Sequence, residues 1–445
     1  MKTPIYDFLS AYAEGEFARF HMPGHKGRGP LGIEKYDLTE IPGADTLYFE
    51  DGIIAQSEAY AASLFGARHT FYSTEGSTLA IKAMLAAATF GKKRARVLSA
   101  RGAHKAFVYA AAILDIDVVW VYPNATEHLC FSKVSAEAID LALSLEEDIS
   151  AVYITSPDYL GNISDVRGIS EVCKKHGVPL LCDNAHGAYL GFLSPSRHPI
   201  SLGADMCCDS AHKTLSAVTG AAYLHISEGA PGEFVDLARR ALRLFASTSP
   251  SYLILASLDL CNRYLSDGYR ERLSETVSRA SKLKEKLSSL GYTVIESEEL
   301  KIVLSANEYG YTGAEISEYL QKNGAVAEFF DDEYLVFMLT PENTDEELSR
   351  LFGLLSALPK RVPIAKEAEP QLPRPISEMS IREAVLSKCE TVLAKDAVGR
   401  VCASPTVSCP PAVPIAVSGE LITEETVSLF KKYHINEIEV VKNDR

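Results

Sequence analysis

From about Ser57 onward, short apolar runs alternate with stretches whose apolar positions recur at helical spacing. Residues 56–65 and 77–90 read as helices, the second rich in Ala and Leu. Apolar runs follow at 96–99, 118–122, 151–155, 178–182, 204–208 and 221–226, with helical stretches such as 135–145 and 169–176 between most of them. Strands that alternate with helices imply a mostly parallel sheet covered on both faces. The runs 204–208 and 221–226 are an exception. The turn around Ser210–Lys213 leaves no room for a crossover helix, so this pair is expected to be antiparallel.

The pattern changes after Pro250. Residues 250–290 read as one long amphipathic helical region carrying Arg270, Arg272, Arg279, Lys282, Lys284 and Lys286. Strands at 293–296, 300–305 and 334–339 and a helix at 313–323 form a smaller α+β unit. The expected division is an N-terminal segment at 1–55 containing the irregular run HMPGHKGRGPLG, a large unit at 56–265 and the small unit at 266–358. A proline- and charge-rich linker at 359–375 leads to a third compact piece at 376–445. A chain of 445 residues suits two or three such domains.

Composition narrows the function classes. Apolar residues at 47% and charged residues at 23% are ordinary for a soluble globular protein. With 44 Lys+Arg against 59 Asp+Glu, the net charge of −15 lacks the basic footprint that nucleic acid requires. It mildly favours a cationic small substrate, although a solvated acidic surface is the plainer explanation. The nine cysteines are odd in number, form no C-x-x-C pair and sit partly inside apolar runs, as Cys182, Cys207 and Cys208 do. They read as small buried hydrophobes in a reducing compartment, and no metal site is expected. The N-terminus has no signal-peptide core, and the most apolar long stretch, 106–122, contains Asp115 and Asp117. A cytoplasmic protein without a membrane partner is expected.

Four local signals carry chemistry. In Ser210-Ala211-His212-Lys213-Thr214 a lysine follows an apolar strand, where desolvation would lower its pKa and free the amine for an imine. The competing reading is a lysine in a surface turn. The strand 178–182 ends in Asp183, followed by Asn184-Ala185-His186-Gly187. A carboxylate beyond a strand end can pair with a protonated ring nitrogen, or simply cap a helix. Thr74-Glu75-Gly76-Ser77-Thr78 opens an Ala-rich helix and offers amides and hydroxyls to a phosphate, or ordinary capping. His104, just after the strand at 96–99, could stack on a flat ring or have no role.

In this order the motifs resemble the Orn/Lys/Arg decarboxylases of the aspartate-aminotransferase fold, known as fold type I. The resemblance spans nearly the whole chain. It rests on Pro23-Gly24-His25-Lys26-Gly27, Thr39-Glu40-Ile41 with Gly43 and Asp45, Phe65-Gly66-Ala67 and Gly76-Ser77-Thr78. It continues through Ser156-Pro157 with Tyr159 and Gly161, Asp183 to Gly187, Ser210 to Thr214, Ser247 to Tyr252, and Gly399-Arg400-Val401 with Pro410-Pro411. It implies pyridoxal 5'-phosphate (PLP) as cofactor, with Lys213 as the Schiff-base lysine. His104 would stack on the pyridine ring and Asp183 would pair with its nitrogen, while Ala185 and His186 line it. Gly76, Ser77 and Thr78 would bind the phosphate, with Ser210 and His212 holding phosphate and lysine. Ser247 and Ser249 would reach the phosphate of a neighbouring subunit, giving a homodimer with shared active sites.

Two features depart from the family pattern. Glu75 stands where the family has Asn, and 403–414 is a worn version of a glutamate-bearing tyrosine-proline-proline-glycine segment. The Pro-Gly-His-Lys motif begins at Pro23, which leaves no room for the N-terminal wing domain of the long, decameric forms. The expected reaction is α-decarboxylation of arginine, lysine or ornithine, a step of polyamine biosynthesis. Which of the three is used stays open. Another fold-type-I reaction, such as transamination or β-elimination, and a non-catalytic PLP-binding protein are the alternatives. A transaminase would need a carboxylate clamp, for which Arg361, Arg374 and Arg382 are available.

Overall fold

Apolar runs become central strands here because both faces of the sheet are covered. The computed structural model describes residues 1–123, 129–365, 372–407 and 413–443. The main sheet contains β1 (His69–Ser73), β2 (Ala95–Ala100), β3 (Ile116–Val121), β4 (Ile149–Thr155), β5 (Leu180–Asp183), β6 (Met206–Asp209) and β7 (Ala222–Ile226). Their order is β1-β7-β6-β5-β4-β2-β3. Strands β2 to β6 are mutually parallel, and β7 runs antiparallel to both β6 and β1.

Successive side chains on a strand point to opposite faces. Leu181, Met206 and Cys208 therefore join one core, while Leu180, Cys182 and Cys207 join the other. The first core is covered by α1 (Pro4–Glu14), α2 (Gly52–Phe65), α3 (Gly76–Thr89) and α4 (Lys105–Leu114). The second is covered by α5 (Ala136–Leu145), α6 (Val166–His176) and the short α7 (Pro199–Leu202). After the single turn α8 (Ala211–Thr214), helices α9 (Phe234–Phe245) and α10 (Tyr252–Ser266) return to the first core, and α11 (Tyr269–Ser289) leads out of it. Helix α3 is buried nearly all round from Leu79 to Thr89, and its alanines let it pass close to the sheet.

Three local differences from the sequence reading have physical causes. The region at 250–290 is two helices, broken at Asp267-Gly268, where Gly268 takes φ +63°. Strand β5 starts at Leu180 because Pro179 has no N–H to give to a ladder. The irregular N-terminal run is preceded by α1, anchored where the Asp259 carboxylate of α10 accepts the amides of Ile5 (2.9 Å) and Tyr6 (3.0 Å).

The smaller sheet holds β8 (Thr293–Ile295), β9 (Lys301–Ser305), β10 (Phe329–Phe330) and β11 (Tyr334–Met338) in the antiparallel order β10-β11-β9-β8. Helices Gly313–Lys322 and Asp345–Ala357 cover it. In the last part of the chain β12 (Cys389–Leu393) pairs with β15 (Glu437–Val441), and β13 (Thr406–Val407) pairs with β14 (Ala416–Val417). Its apolar residues, such as Ile415, Phe430 and Val440, pack with Leu129, Cys130 and Leu160 of the large unit and Val303 of the small sheet. Cys409, Pro410 and Pro411 lie outside the described residues. Among the described residues no helix is long and apolar enough to cross a membrane, and the eight described cysteines form no disulfide.

Candidate active site

A cavity of about 770 Å³ opens where these three parts meet, beyond the carboxyl ends of the parallel strands. Asp183 is the last residue of β5 and is 2% exposed. The Tyr153 hydroxyl donates to its Oδ2 at 3.2 Å and the Ala185 amide to its Oδ1 at 3.1 Å. Asp183 caps no helix, since the next helical residue is Ala188.

Lys213 projects from α8 into the same cavity, and its Nζ lies 3.1 Å from His186 Nε2. Burial lowers the pKa of this amine, with the charge of Asp183 working the other way. The surface-turn reading is therefore wrong: this lysine sits in the desolvated setting that an imine-forming amine needs. Burial also pushes the His186 imidazole well below its ordinary range, helped by the neighbouring cations Lys301 and Lys213. The Tyr159 ring stands edge-on to His186 at 5.1 Å.

The start of α3 forms a neighbouring part of the wall. Gly76 takes φ +69°, and Glu75, at the N-cap, makes no side-chain capping bond. The first-turn amides of α3 thus have neither an intrahelical partner nor a cap, which is the arrangement that receives a phosphate. The Gly76 amide itself donates to Gly220 O at 2.8 Å, so this glycine shapes the turn. The Ser210 hydroxyl donates to Ser77 Oγ at 3.0 Å and ties the Lys213 turn to this helix start. His104 caps α4, its Nδ1 accepting the Ala106 amide at 3.2 Å, and burial lowers its pKa.

Ser77, His104, Asp183, Ala185, His186 and Lys213 all line the cavity. Gly76, Thr78, Ser210 and His212 adjoin those residues without lining it, and His212 Nδ1 lies 2.9 Å from Ala221 O. Ser247 and Ser249 are exposed outside the cavity; the Ser247 amide donates to Glu75 Oε1 at 2.8 Å.

The sequence reading missed the outer wall, where Glu328, Glu437 and Glu439 face the cavity. On β15, Ile438 and Val440 are buried while Glu437 and Glu439 are exposed, a period-2 alternation that was readable in the sequence. Glu328 lies between the helix Gly313–Lys322 and β10 without a periodic signal, and its Oε1 accepts the Tyr159 hydroxyl at 2.9 Å. Asp158 also lines the cavity, but its carboxylate is filled by the Ser132 amide and by Asn162. Among the described residues no arginine lines the cavity. Arg361 pairs with Glu315, Arg382 donates to the carbonyls of Ala112 and Ile113, and Arg374 lies over the Tyr122 ring.

A buried amine, a supported carboxylate, an imidazole and an uncapped helix start suit a flat, phosphate-bearing pyridine aldehyde. Two buried polar atoms at the cavity, Thr155 Oγ1 and His186 Nδ1, have no partner among the described residues and fit a bound polar group.

The comparisons with known proteins agree with this chemistry. A family model described as "Orn/Lys/Arg decarboxylase, major domain" matches residues 3–305. An arginine decarboxylase of Bacillus subtilis is 29% identical over 97% of this chain and 93% of its own length. An arginine decarboxylase of Halalkalibacterium halodurans is 27% identical with the same coverage. Among solved structures, the Francisella novicida lysine decarboxylase LdcF superposes with a TM-score of 0.83 at 17% identity, covering 99% of this chain and 81% of that one. At that identity it speaks for the fold alone.

Proposed function

The chain belongs to the Orn/Lys/Arg decarboxylase family, and on that premise we propose that its substrate is arginine and that Lys213, Asp183, His104 and His186 carry the reaction. As a member it is a PLP-dependent enzyme that releases the α-carboxyl group of a basic amino acid as CO2 and leaves the amine. When bound, the cofactor supplies a protonated pyridine ring that draws electrons from the substrate's Cα.

The chain's own residues divide the work. Lys213 would hold the cofactor covalently, since burial lowers its pKa and so favours the unprotonated amine that forms an imine. Asp183 would keep the ring nitrogen protonated, and His104 would pack on the ring. The open first turn of α3, with Ser77 and Thr78, would hold the phosphate; Ser210 and His212 brace that end. Neutral His186, 3.1 Å from Lys213 Nζ, would accept or return a proton at that nitrogen. Glu328, Glu437 and Glu439 would face the distal cation of the substrate.

The observation that carries this reading is that one cavity is lined both by Lys213 with Asp183 and His104 and by the three carboxylates Glu328, Glu437 and Glu439. The absence of a lining arginine among the described residues speaks against the clamp a transaminase needs. Arginine is favoured over lysine because several relatives named arginine decarboxylase align over nearly their full length, whereas the lysine decarboxylase of Pseudomonas aeruginosa aligns over 64% of this chain. The same reading includes a cytoplasmic homodimer in which Ser247 and Ser249 reach the partner's phosphate. Their exposure beside Glu75 and the absence of disulfides among the described cysteines support it. Measuring CO2 release from arginine, lysine and ornithine tests the proposal. Arginine should give the highest kcat/KM; a clear preference for another substrate, or keto-acid formation, would refute it.

A further inference from the structure

Asp209 closes β6 and leads through Ser210 into the Lys213 turn. Its side chain is fully buried. Oδ2 accepts from His198 Nε2 at 2.9 Å and from His225 Nε2 at 3.2 Å, and Oδ1 accepts from Asn184 Nδ2 at 2.7 Å. The imidazoles are oriented from behind. The Ile200 amide donates to His198 Nδ1 at 3.4 Å, and Thr70 Oγ1 lies 2.8 Å from His225 Nδ1. A ring whose Nδ1 accepts carries its proton on Nε2. In His198 that Nε2–H donates to Asp209, and the buried carboxylate is filled by hydrogen bonds from both rings and from Asn184.

Asn184 stands next to Asp183, so this grip reaches the other strand end. The lacing runs both ways: the Asn184 amide donates to Cys208 O at 3.0 Å, and Cys208 Sγ lies 3.5 Å from Asp183 Oδ1. The ligand atoms of His198, Cys207 and Asp209 lie within 4.8 Å of one another, as in a cation site. Here, however, ring N–H groups already point at Oδ2 at hydrogen-bond distance, where a cation would have to sit.

We infer that Asp209 is a positioning residue: held by His198 and His225 and gripping Asn184, it fixes the Lys213 turn against the Asp183 strand end. Amine and carboxylate thereby keep the spacing the reaction needs. This rests on the roles proposed for Lys213 and Asp183.

The experiment uses the holoenzyme. Borohydride reduction of the wild-type protein, followed by peptide mapping, should place the phosphopyridoxyl label on Lys213. A label elsewhere would overturn the site reading itself, and this inference with it. Asp209→Asn and Asn184→Ala are then compared for thermal melting, cofactor affinity of the apo-protein, visible circular dichroism per bound cofactor, kcat and KM. The expectation is an altered visible dichroic band and a kcat lowered by about 10–100-fold, with KM within about threefold. If both variants keep kcat and the dichroic band, whatever their melting temperature, Asp209 only supports the fold. Should Asp209→Asn fail to fold, Asn184→Ala decides alone, because it leaves the histidine grip in place. Stoichiometric metal in the purified protein that is lost in Asp209→Asn would also overturn the hydrogen-bonded reading.

Discussion

Arg101 and Glu420 form a two-pronged ion pair, Nη1–Oε1 2.5 Å and Nη2–Oε2 2.8 Å, between two buried side chains 319 positions apart. Arg101 leads through Gly102 and Ala103 to His104, and a Cβ at Gly102 would meet the Ser132 Cβ at 2.1 Å. The C-terminal part of the chain thus holds the loop that presents His104. Glu420→Ala would leave a buried guanidinium without its partner, at a cost of about 3–5 kcal/mol. Glu420→Gln should lie between wild type and alanine. Denaturant titration measures both; equal stability of Glu420→Ala and wild type would show that the pair holds nothing.

Asp183→Asn keeps the shape of the side chain and removes its charge. The variant should retain cofactor but lose turnover by roughly 30–1,000-fold, the equivalent of about 2–4 kcal/mol for a charge-assisted bond in a poorly solvated site. Steady-state rates with cofactor content measured alongside check it. Near wild-type turnover would leave Asp183 with no more than a structural role.

Glu437→Gln and Glu439→Gln test the outer wall. Each should raise the KM for arginine by about 5–50-fold while kcat changes by less than about threefold, as expected when a bond to a charged group is lost equally from ground and transition states. An unchanged KM in both variants would place the distal cation elsewhere.

Burial pushes the Glu58 carboxyl up to about 8, although it accepts the Tyr72 amide at 2.8 Å and Arg239 offsets part of the effect. Its unfolded reference value is 4.5. Between these values the folded state binds the extra proton, so this group's contribution to stability falls as pH rises from about 4.5 to 8. Glu58→Gln lacks that loss. Its stability relative to wild type should improve by up to about 1.4 kcal/mol per pH unit across the window. Denaturation at several pH values measures the slope, and a constant difference would contradict it.

A site shared across a dimer makes its own demand. Lys213→Ala protein mixed with a Ser247→Ala, Ser249→Ala double variant should regain part of the activity each lacks alone, because a reassorted heterodimer contains one intact site. Confirmed subunit exchange without recovery, or a monomer by light scattering, would count against the shared site.

Local periodicity and residue chemistry made the scaffold legible. The runs at 178–182 and 204–208 are apolar on every residue that a doubly covered sheet buries, and the short link to β7 forced its reversal. Lys213, Asp183, His104 and Ser77 could be marked as candidates because each ends or follows a strand or opens a helix, on the side where an α/β sheet takes its ligands, although helix capping favours polar residues there too. Tertiary structure alone decided what surrounds them. Glu437 reaches the cavity only because β15 pairs with β12 and buries its Ile438 in the core that also holds Leu129 and Leu160. Arg101 finds Glu420, and Asp259 finds the amides of Ile5 and Tyr6, across separations that no periodic pattern encodes. A strand's period fixes which face a residue occupies; which distant carboxylate or amide meets that face depends on how whole layers pack, and a linear pattern carries no term for that.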